Sequence, residues 1–403
     1  MPPAVRLWWL FVLLWSSKVS GFCPDGCVCP SEIQVLCIDA GLTAPPRRLP
    51  ATVQHLSLAG NRIRRLRRAA FIKLPQLRTL DLDNNRIRRV APFAFLGLLS
   101  LERLSLQGNP LGELAGFSLG GLRNITYLYV GHSGVRRVRP LAFSTSADVR
   151  LISLGGNPAA ALEPRAFAGL QRVHHLLLPE RLQRVAAGAF SGLRDVDVLV
   201  VRQPQLENLP AGLLSGLQRA ARLTVIGGEV GVMDRHWMEG VGPVQVISFT
   251  NVTIGELGGL NITGPVGRLE MRGNRVHAVA LSDVLTLSPC AEERLVLVDN
   301  LLPCTCDLHR LMTALRGAGY NVTRFSEQNR CLTPPVLQQR HISGVSLPSA
   351  EECAVRDREE LERRKSEEAF LRAMASAGRC FGVTIYSSLF TLLLPFVINI
   401  VVT

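Results

Sequence analysis

Apolar residues recur with a period close to 24 residues between positions 53 and 279. Six segments begin at positions 53, 77, 101, 125, 149 and 173, and four more begin near 196, 220, 244 and 266. Because alternate residues of a strand face opposite sides, the L-x-L step in each segment predicts a short strand with its leucines buried. One segment cannot bury that row alone, so we expect neighbouring segments to stack around a shared core. The most regular copy, L-x-x-L-x-L-x-x-N-x-I-x-x-V-x-x-x-x-F-x-x-L, comprises Leu77, Leu80, Leu82, Asn85, Ile87, Val90, Phe95 and Leu98.

Two further columns of residues support this stacking. A side-chain amide recurs where each strand turns away, and it can satisfy backbone groups of that turn. This column consists of Asn61, Asn85, Asn109, Asn157 and Asn274. Other segments carry Ser133, Arg181, Pro204 or Gly228 nearby, which predicts less regular later coils. A column of bulky residues predicts the outer half of the core, and it consists of Phe71, Phe95, Phe143, Phe167, Phe190, Leu214 and Met238.

This repeat resembles the leucine-rich repeat. The resemblance implies an α/β-type solenoid, a curved horseshoe of about ten coils with a parallel sheet on its concave face. Cysteines flank the repeats as C-x3-C-x-C-x7-C and C-x-C-x24-C-x21-C, similar to the N- and C-terminal disulfide caps of extracellular members. Leu302 and Pro303 stand where the family often carries a tryptophan.

Spacing alone leaves three connectivities for each cysteine cluster. The resemblance implies Cys23 with Cys29, Cys27 with Cys37, Cys304 with Cys331, and Cys306 with Cys353. A zinc site is disfavoured by secretion and by the C-x-C spacing. Cys290 and Cys380 are left over, and they could pair, stay free or bridge two chains.

Both ends of the chain are apolar. Residues 1–21 predict a secretory signal with cleavage before Phe22, which places the cysteines in an oxidising compartment. Residues 381–402 are long enough to span a bilayer as a helix, but no basic residue follows them. Small residues from Ser376, a spacer and an apolar tail predict instead a glycosylphosphatidylinositol signal with Ser376 as the attachment residue. A transmembrane tail is the alternative, and loss of the tail would give a secreted protein.

The predicted domain order follows from these signals. It is a signal peptide at 1–21, an N-terminal cap at 22–52, repeats at 53–290, a C-terminal cap at 291–353, a charged stalk at 354–378 and a hydrophobic tail at 379–403. The stalk is predicted to be a solvated helix because opposite charges recur at i,i+4 spacing. Those pairs are Glu359 with Arg363, Glu360 with Arg364, and Glu368 with Arg372.

Strand residues that alternate with the buried leucines should face the concave hollow. Apolar and tyrosine side chains exposed there favour protein binding. The predicted ligand-binding residues are Tyr127, Tyr129, Leu151, Leu177, Val198, Val200 and Ile226. A register slip of one residue in the later coils is the alternative, and it would turn Leu177 or Val200 inward.

The net charge of +13 rests on arginine, because only three of 45 basic residues are lysines. Arginines recur at matching repeat positions, and their planar guanidinium groups suit sulfate or phosphate. The predicted anion-binding residues are Arg64, Arg65, Arg88, Arg89, Arg136 and Arg137. Outside the cell the abundant acidic polymers are sulfated glycosaminoglycans such as heparan sulfate, whereas nucleic acid is disfavoured by the compartment. Solvated side chains in an arginine-rich composition are the alternative explanation.

Four N-x-T sequons predict glycosylation at Asn124, Asn251, Asn261 and Asn321. Catalysis is not predicted: the G-x-S-x-G match around Ser118 falls on the outer part of a coil rather than at a strand-to-helix turn. His174 and His175 are consecutive on a strand and are expected to point to opposite sides, so they cannot chelate one metal ion. No metal or other cofactor is predicted.

The resulting functional prediction is a membrane-tethered recognition or adhesion receptor, or co-receptor, on the extracellular side of the plasma membrane. It would bind a protein ligand on the concave face, and it would need a transmembrane partner to signal. In domain order the chain is similar to Nogo-receptor-like cell-surface proteins. The alternative function is a matrix-associated protein that binds sulfated glycosaminoglycans through its arginines.

Overall fold

The computed structural model describes residues 23–143, 148–158, 161–209, 211–234, 236–237, 239–257, 266–279 and 294–380. The predicted signal peptide, the tail after residue 380, Met238, Asn261 and Cys290 lie outside the described residues. At residue 360 and from 370 to 380 only the backbone is described. The chain forms two compact units, Met1–Ser346 and Leu347–Thr403.

A sheet of thirteen strands runs through the first unit. Its first two strands are antiparallel, and every later strand pairs in parallel with the equivalent strand of the next coil. This is the solenoid that the repeat predicts, with one strand contributed by each coil. The strands are Val28–Ser31, Gln34–Leu36, His55–Ser57, Thr79–Asp81, Arg103–Ser105, Tyr127–Tyr129, Asp148–Ser153, Arg172–Leu177, Asp195–Arg202, Arg219–Ile226, Val244–Thr250, Val266–Arg272 and Leu295–Val298.

The leucine-like rows form the core, as the pattern predicts. Leu80 and Leu104 have no exposed surface, and their partners in neighbouring strands are equally buried. The phenylalanine column stacks behind them, with ring centroids 5.3 Å apart for Phe143 and Phe167 and 5.6 Å apart for Phe167 and Phe190. The core is therefore continuous from coil to coil, and no coil has a core of its own.

The asparagine column is buried and links successive coils. Asn85 donates from Nδ2 to Leu58 O of the preceding coil at 2.8 Å and to Leu82 O of its own coil at 3.1 Å. Its Oδ1 accepts from the backbone N–H of Ile63 at 3.2 Å. Ser133 replaces the amide in one coil, and its Oγ donates to Leu106 O at 2.9 Å.

This ladder of amides stops after Asn157 and resumes at Asn274. A Cβ at Gly228 would lie 2.3 Å from Pro204 O, so no side chain fits at that position of the column. The resumed ladder continues through Asn300 and Asn329 of the C-terminal cap, which the sequence analysis missed. Asn300 follows a short apolar run, but Asn329 follows Glu327 and Gln328, and the separations of 26 and 29 residues depart from 24.

The side of each coil opposite the concave strand changes along the solenoid. Early coils carry two-residue strands, at Arg65–Leu66, Arg89–Val90, Glu113–Leu114, Arg137–Val138, Ala161–Leu162 and Arg184–Val185. From residue 205 these strands lengthen and form a six-stranded second sheet, which the sequence analysis did not predict. The second sheet comprises Gln205–Leu209, Glu229–Met233, Thr253–Leu257, Arg275–Val279, Leu301–Pro303 and Arg330–Thr333.

Disulfides hold both caps. Cys23 pairs with Cys29, Cys27 with Cys37, and Cys304 with Cys331, which are the pairs that the resemblance implies. Cys306 and Cys353 are also disulfide-bonded. The C-terminal cap packs the helices Cys306–Gly317 and Val322–Gln328 and the 3-10 turns Pro335–Leu337 and Ile342–Gly344, and Leu302 is buried where a tryptophan is usual.

The second unit contains one helix, Ala350–Cys380. It begins with a capping box, in which Glu352 N–H donates to Ser349 Oγ at 3.2 Å and Ser349 N–H donates to Glu352 Oε2 at 2.8 Å. The pKa of the Glu352 carboxyl is lowered. The hydrogen bond from the Ser349 backbone N–H is the largest cause, and the hydrogen bond with the Ser349 hydroxyl is the second. An ion pair joins Arg363 to Glu367 at 2.6 Å along this helix, which contains the predicted stalk.

Candidate functional site

The concave sheet face consists of the exposed side chains of the parallel strands, and it carries all seven predicted ligand-binding residues. Tyr127 lies beside Leu151 in the ladder, and Val198 follows one strand beyond His175. The second column runs Tyr129, Ser153, Leu177, Val200. The alternating buried residues are Leu176, Leu199 and Leu223, so the one-residue register slip is contradicted.

We call Tyr127, Tyr129, Leu151, Leu177, Val198 and Val200 the central patch. They occupy two adjacent columns of four neighbouring strands, in which Ser153 and His175 fill the two remaining positions. Ile226 stands apart in a third column, next to Arg202, and is 37% exposed. The Arg103 guanidinium lies 5.0 Å from the centre of the Tyr127 ring, a cation–π contact that orients the ring at the edge of the patch.

A hollow of about 270 Å³ opens where these strands end. Its floor lacks side chains because Gly131, Gly155 and Gly156 occupy successive turns. A Cβ on Gly131 would lie 2.9 Å from Gly155 O, and Gly156 has a φ of +69°, which L side chains rarely adopt, so glycine is needed at both positions. The walls of the hollow include Leu177 and Val200 of the central patch, together with Gln107, Glu180 and Arg202.

The hollow was not predicted from the sequence. Its signal is the recurrence of glycine two residues after the concave strand, where neighbouring coils carry Gln107 or Arg202. A position without a side chain is harder to recognise in a repeat than a type of side chain that recurs from coil to coil. In the strand pairing Arg202 lies two residues after Val200, so its position faces the same side as the central patch.

The two ends of the concave sheet face carry opposite charges. Asp81 accepts from Ser57 Oγ at 3.0 Å, and Asp83 accepts from Ser105 Oγ and from the Gln107 N–H at 2.7 Å. Burial raises the pKa of the Asp83 carboxyl, outweighing these hydrogen bonds, and the neighbouring Asp81 charge adds to the increase. At the other end Arg202 and Arg222 are exposed, whereas Arg268 and Arg272 share the Glu270 carboxylate, at 3.0 Å and 3.9 Å.

A row of ion pairs borders the patch where the strands begin. His174 contacts Asp197 through Nδ1 at 2.6 Å and Asp148 through Nε2 at 3.2 Å. The prediction that His174 and His175 point to opposite sides is wrong, because two residues rather than one separate the buried Val173 and Leu176. Both histidines therefore face solvent. Next to them, Asp195 binds Arg172 at 3.5 Å and Arg219 at 3.1 Å.

The predicted anion-binding arginines are all exposed, but they do not form one stack. Arg65 lies directly beside Arg89 in a strand pair, and Arg88 N–H donates to Arg64 O at 2.9 Å. Arg136 and Arg137 lie two coils further on, because Gly112 and Glu113 occupy the intervening positions. Glu113 binds Arg139 at 3.2 Å, which lowers the net positive charge of that part of the surface.

Comparison with known proteins supports the repeat assignment. Residues 51–111 match the family model described as Leucine rich repeat. Leucine-rich repeat-containing protein 3 of Rattus norvegicus is 40% identical over 74 residues, which are 18% of this chain and 29% of that protein. Platelet glycoprotein IX of Homo sapiens is 42% identical over 79 residues, 18% of this chain and 44% of that protein. The chain thus covers less than half the length of these relatives.

Among solved structures, human 5T4 (Wnt-activated inhibitory factor 1, trophoblast glycoprotein) aligns with a TM-score of 0.35 at 17% identity. The alignment covers 82% of this chain and 98% of that one. The matched family model, the 24-residue coils and the paired cysteines of both caps agree. Residues 51–111 are thus similar to leucine-rich repeats, and they belong to a solenoid that has disulfides at both ends.

Leucine-rich repeats of this type are typically interaction modules rather than catalysts, and function is carried by sites on their surface. Ser118 is only 1% exposed, so substrate cannot reach its hydroxyl. The sequon asparagines Asn124, Asn251 and Asn321 are exposed, whereas Asn261 lies outside the described residues. Ser376 falls on the Ala350–Cys380 helix, in the part where only the backbone is described.

The raised pKa of Asp83 predicts a pH-dependent effect of one substitution. A raised carboxyl pKa means that the folded protein holds the proton more tightly than the unfolded chain, so the stabilisation is lost as pH rises through the folded pKa. Asp83→Asn keeps an acceptor for Ser105 and Gln107 but cannot ionise. We expect a melting temperature about 2 °C higher than wild type at pH 7, with the difference shrinking towards pH 3.

Thermal unfolding from pH 3 to pH 8 measures this difference. The exposed Asp25→Asn change in the N-terminal cap serves as the control for net charge. A destabilised Asp83→Asn protein at pH 7, or a difference that does not vary with pH, would contradict the explanation.

Proposed function

We propose that this protein is a membrane-tethered extracellular receptor or co-receptor that binds a protein ligand on the concave sheet face. The observation that carries the proposal is the central patch, in which half-buried tyrosine and aliphatic side chains lie together on the outer face of a parallel sheet. Exposed apolar groups in one continuous surface mark interaction sites more often than scattered ones do. Tyrosine adds a large contact area and a hydrogen-bonding hydroxyl at little cost in side-chain entropy.

The hollow beside the patch suggests how a ligand would be anchored. A protruding apolar or aromatic side chain of the ligand would enter over the glycine floor and contact Leu177 and Val200. Glu180 and Arg202 at the rim would hydrogen-bond to polar groups beside it. Such a buried anchor with a polar rim is the usual arrangement of an energetic hot spot.

The charge polarity of the face would orient the ligand. Asp81 and Asp83 at one end attract basic groups, and Arg202 and Arg222 towards the other end attract acidic ones. Charges at the rim of an interface change the association rate and the choice of partner more than the final affinity. A ligand with an apolar centre and opposite charges at its two ends would fit this arrangement.

The tether is proposed to be a glycosylphosphatidylinositol anchor at Ser376, on the basis of the small residues, spacer and apolar tail. Among the described residues, no helix has both the length and the apolar character needed to cross a bilayer. With a lipid anchor, signalling would pass through a transmembrane partner. The charged helix from Ala350 would act as the stalk between the repeats and the anchor.

A pair of valine substitutions tests the binding surface. Val200 lies in the central patch, and Val232 is a 44% exposed valine of the second sheet. We expect Val200→Asp to weaken binding of cell-surface partners by roughly thirtyfold, because it places an unpaired charge at a hot spot. Val232→Asp, which introduces the same charge elsewhere, should bind like wild type.

The measurement is cross-linking on living cells that express the full chain, with partners quantified by mass spectrometry. Surface level and melting temperature establish that both variants fold. Partners that remain bound to Val200→Asp, or that are lost equally from Val232→Asp, would refute the concave face as the binding surface.

Phospholipase treatment tests the tether. Phosphatidylinositol-specific phospholipase C should release the wild-type protein from intact cells into the medium. Replacing Ser376, Ala377 and Gly378 together by tryptophan removes the small residues that anchor attachment needs, and it should abolish the released fraction. Retention of the wild-type protein on treated cells would argue for a spanning tail instead.

A further inference from the structure

Positive charge is concentrated at one end of the repeats. Residues 40–101 contain twelve basic and two acidic side chains, a net charge of +10, whereas the whole chain of 403 residues has +13. Between residues 40 and 80 no acidic side chain occurs. The first two coils and the adjoining cap therefore carry most of the excess charge.

The structure places this charge on one surface, which we call the arginine flank. Its arginines alternate with Ile63, Leu66, Ile87 and Val90, each at most 8% exposed, so the guanidinium groups are directed into solvent. Adjacent coils bring Arg65 beside Arg89 at the strand spacing of about 4.8 Å. The flank consists of Arg62, Arg64, Arg65, Arg67, Arg68, Arg86, Arg88 and Arg89.

The arginine flank is not neutralised by the described part of the protein. None of its eight arginines forms an ion pair with a described residue, although Arg68 lies over the Phe93 ring. The two acidic residues of this region, Asp81 and Asp83, belong to the concave sheet face and are hydrogen-bonded there. Like charges carried by strands about 4.8 Å apart repel, so an external anion between them would lower the free energy.

Other exposed arginines of the repeats differ from the flank. Arg78 binds Glu102 at 3.1 Å, and Arg139 binds Glu113 at 3.2 Å and Glu163 at 3.3 Å. The flank ends at the coil that carries Gly112 and Glu113. Its limits are therefore set by the sequence of two coils and not by the composition of the whole chain.

We propose that the arginine flank binds a linear sulfated polysaccharide. Guanidinium groups bind sulfate through two parallel hydrogen bonds, and paired arginines in successive coils would contact successive sulfates along one chain. The disulfides of both caps indicate an oxidising, extracellular setting, where such polymers are abundant. The residues between the arginines are buried aliphatics, so the flank offers no apolar side chain for insertion into a lipid surface.

This site is separate from the concave sheet face, because the flank follows the buried asparagine turn that ends each concave strand. A polysaccharide and a protein ligand could occupy the two surfaces together. The inference does not rest on the proposed function, and its failure would leave that proposal intact.

Matched double substitutions test the flank. Arg65→Gln/Arg89→Gln removes two paired arginines of the flank, whereas Arg184→Gln/Arg275→Gln removes the same charge from two exposed arginines outside it, whose strand partners include Ala161 and Thr253. Full-length protein in detergent is titrated with a fluorescent heparin dodecasaccharide at 150 mM salt. We expect the first pair to weaken binding at least tenfold and the second pair less than twofold. Unchanged melting temperatures establish folding.

Two further arms define the ligand class. Desulfated heparin, polyglutamate and phosphatidylserine vesicles should each bind at least tenfold more weakly than heparin. The Val200→Asp variant, which changes the concave sheet face, should bind heparin as tightly as wild type. Equal losses from both arginine pairs would overturn the site. Equally tight binding of polyglutamate or vesicles would overturn the assignment to a sulfated polysaccharide.

Discussion

The buried side-chain amide at the end of each concave strand is the contact on which the arrangement of this protein depends. Asn109 is an example of this contact. Its Nδ2 donates to Leu82 O and to Leu106 O, each at 2.9 Å, while its Oδ1 accepts from Ile87 N–H at 3.0 Å. One side chain thus satisfies backbone groups of two coils that no water can reach. An unpaired buried group costs about 1–3 kcal/mol, so a displaced coil would lose several such bonds at once. These hydrogen bonds therefore fix the register of the coils, and the register determines which residues align in columns on the concave sheet face.

Where the amides are missing, longer strands join the coils. Between Asn157 and Asn274 the concave strands lengthen and the second sheet appears on the opposite side. The turn bond from Gln203 N–H to Ile226 O at 2.7 Å is common to both regions, since Asn84 N–H donates to Gln107 O at 2.8 Å in a coil that has the amide. The valines of the central patch, Val198 and Val200, lie in this region. Long strands favour β-branched residues, and on the exposed side those residues make an apolar surface. The change in how coils are held together therefore falls within the central patch, because Tyr127, Tyr129 and Leu151 lie in coils that keep Ser133 or Asn157.

Much of this could be predicted from the sequence because it depends on period and alternation. The buried row that includes Leu80, the outward Tyr127 and Val200, and the cysteine caps all follow from fixed spacing. What could not be predicted depends on neighbours in space. The glycine-floored hollow arises because side chains are absent there. His174 faces outward because two residues separate the buried positions on either side of it. The arginine flank ends where an adjacent coil carries Glu113. A repeat pattern predicts which face a residue takes, but it does not predict which side chain of the next coil lies beside that residue.

Equilibrium urea unfolding of full-length protein with substitutions at Asn109 tests the role of the amide most directly. Asn109→Ala should lower the free energy of unfolding by about 2 kcal/mol, since it leaves the Ile87 N–H without a partner and removes one of the two side-chain donors to Leu82 O and to Leu106 O. Asn109→Ser should lower it by about half as much, because the serine hydroxyl of Ser133 already makes two such bonds at the equivalent position. The exposed Asn208→Ala change serves as the control and should have no effect. Losses below about 0.5 kcal/mol for both Asn109 variants would contradict the account, because the coils would then hold their register without the amide.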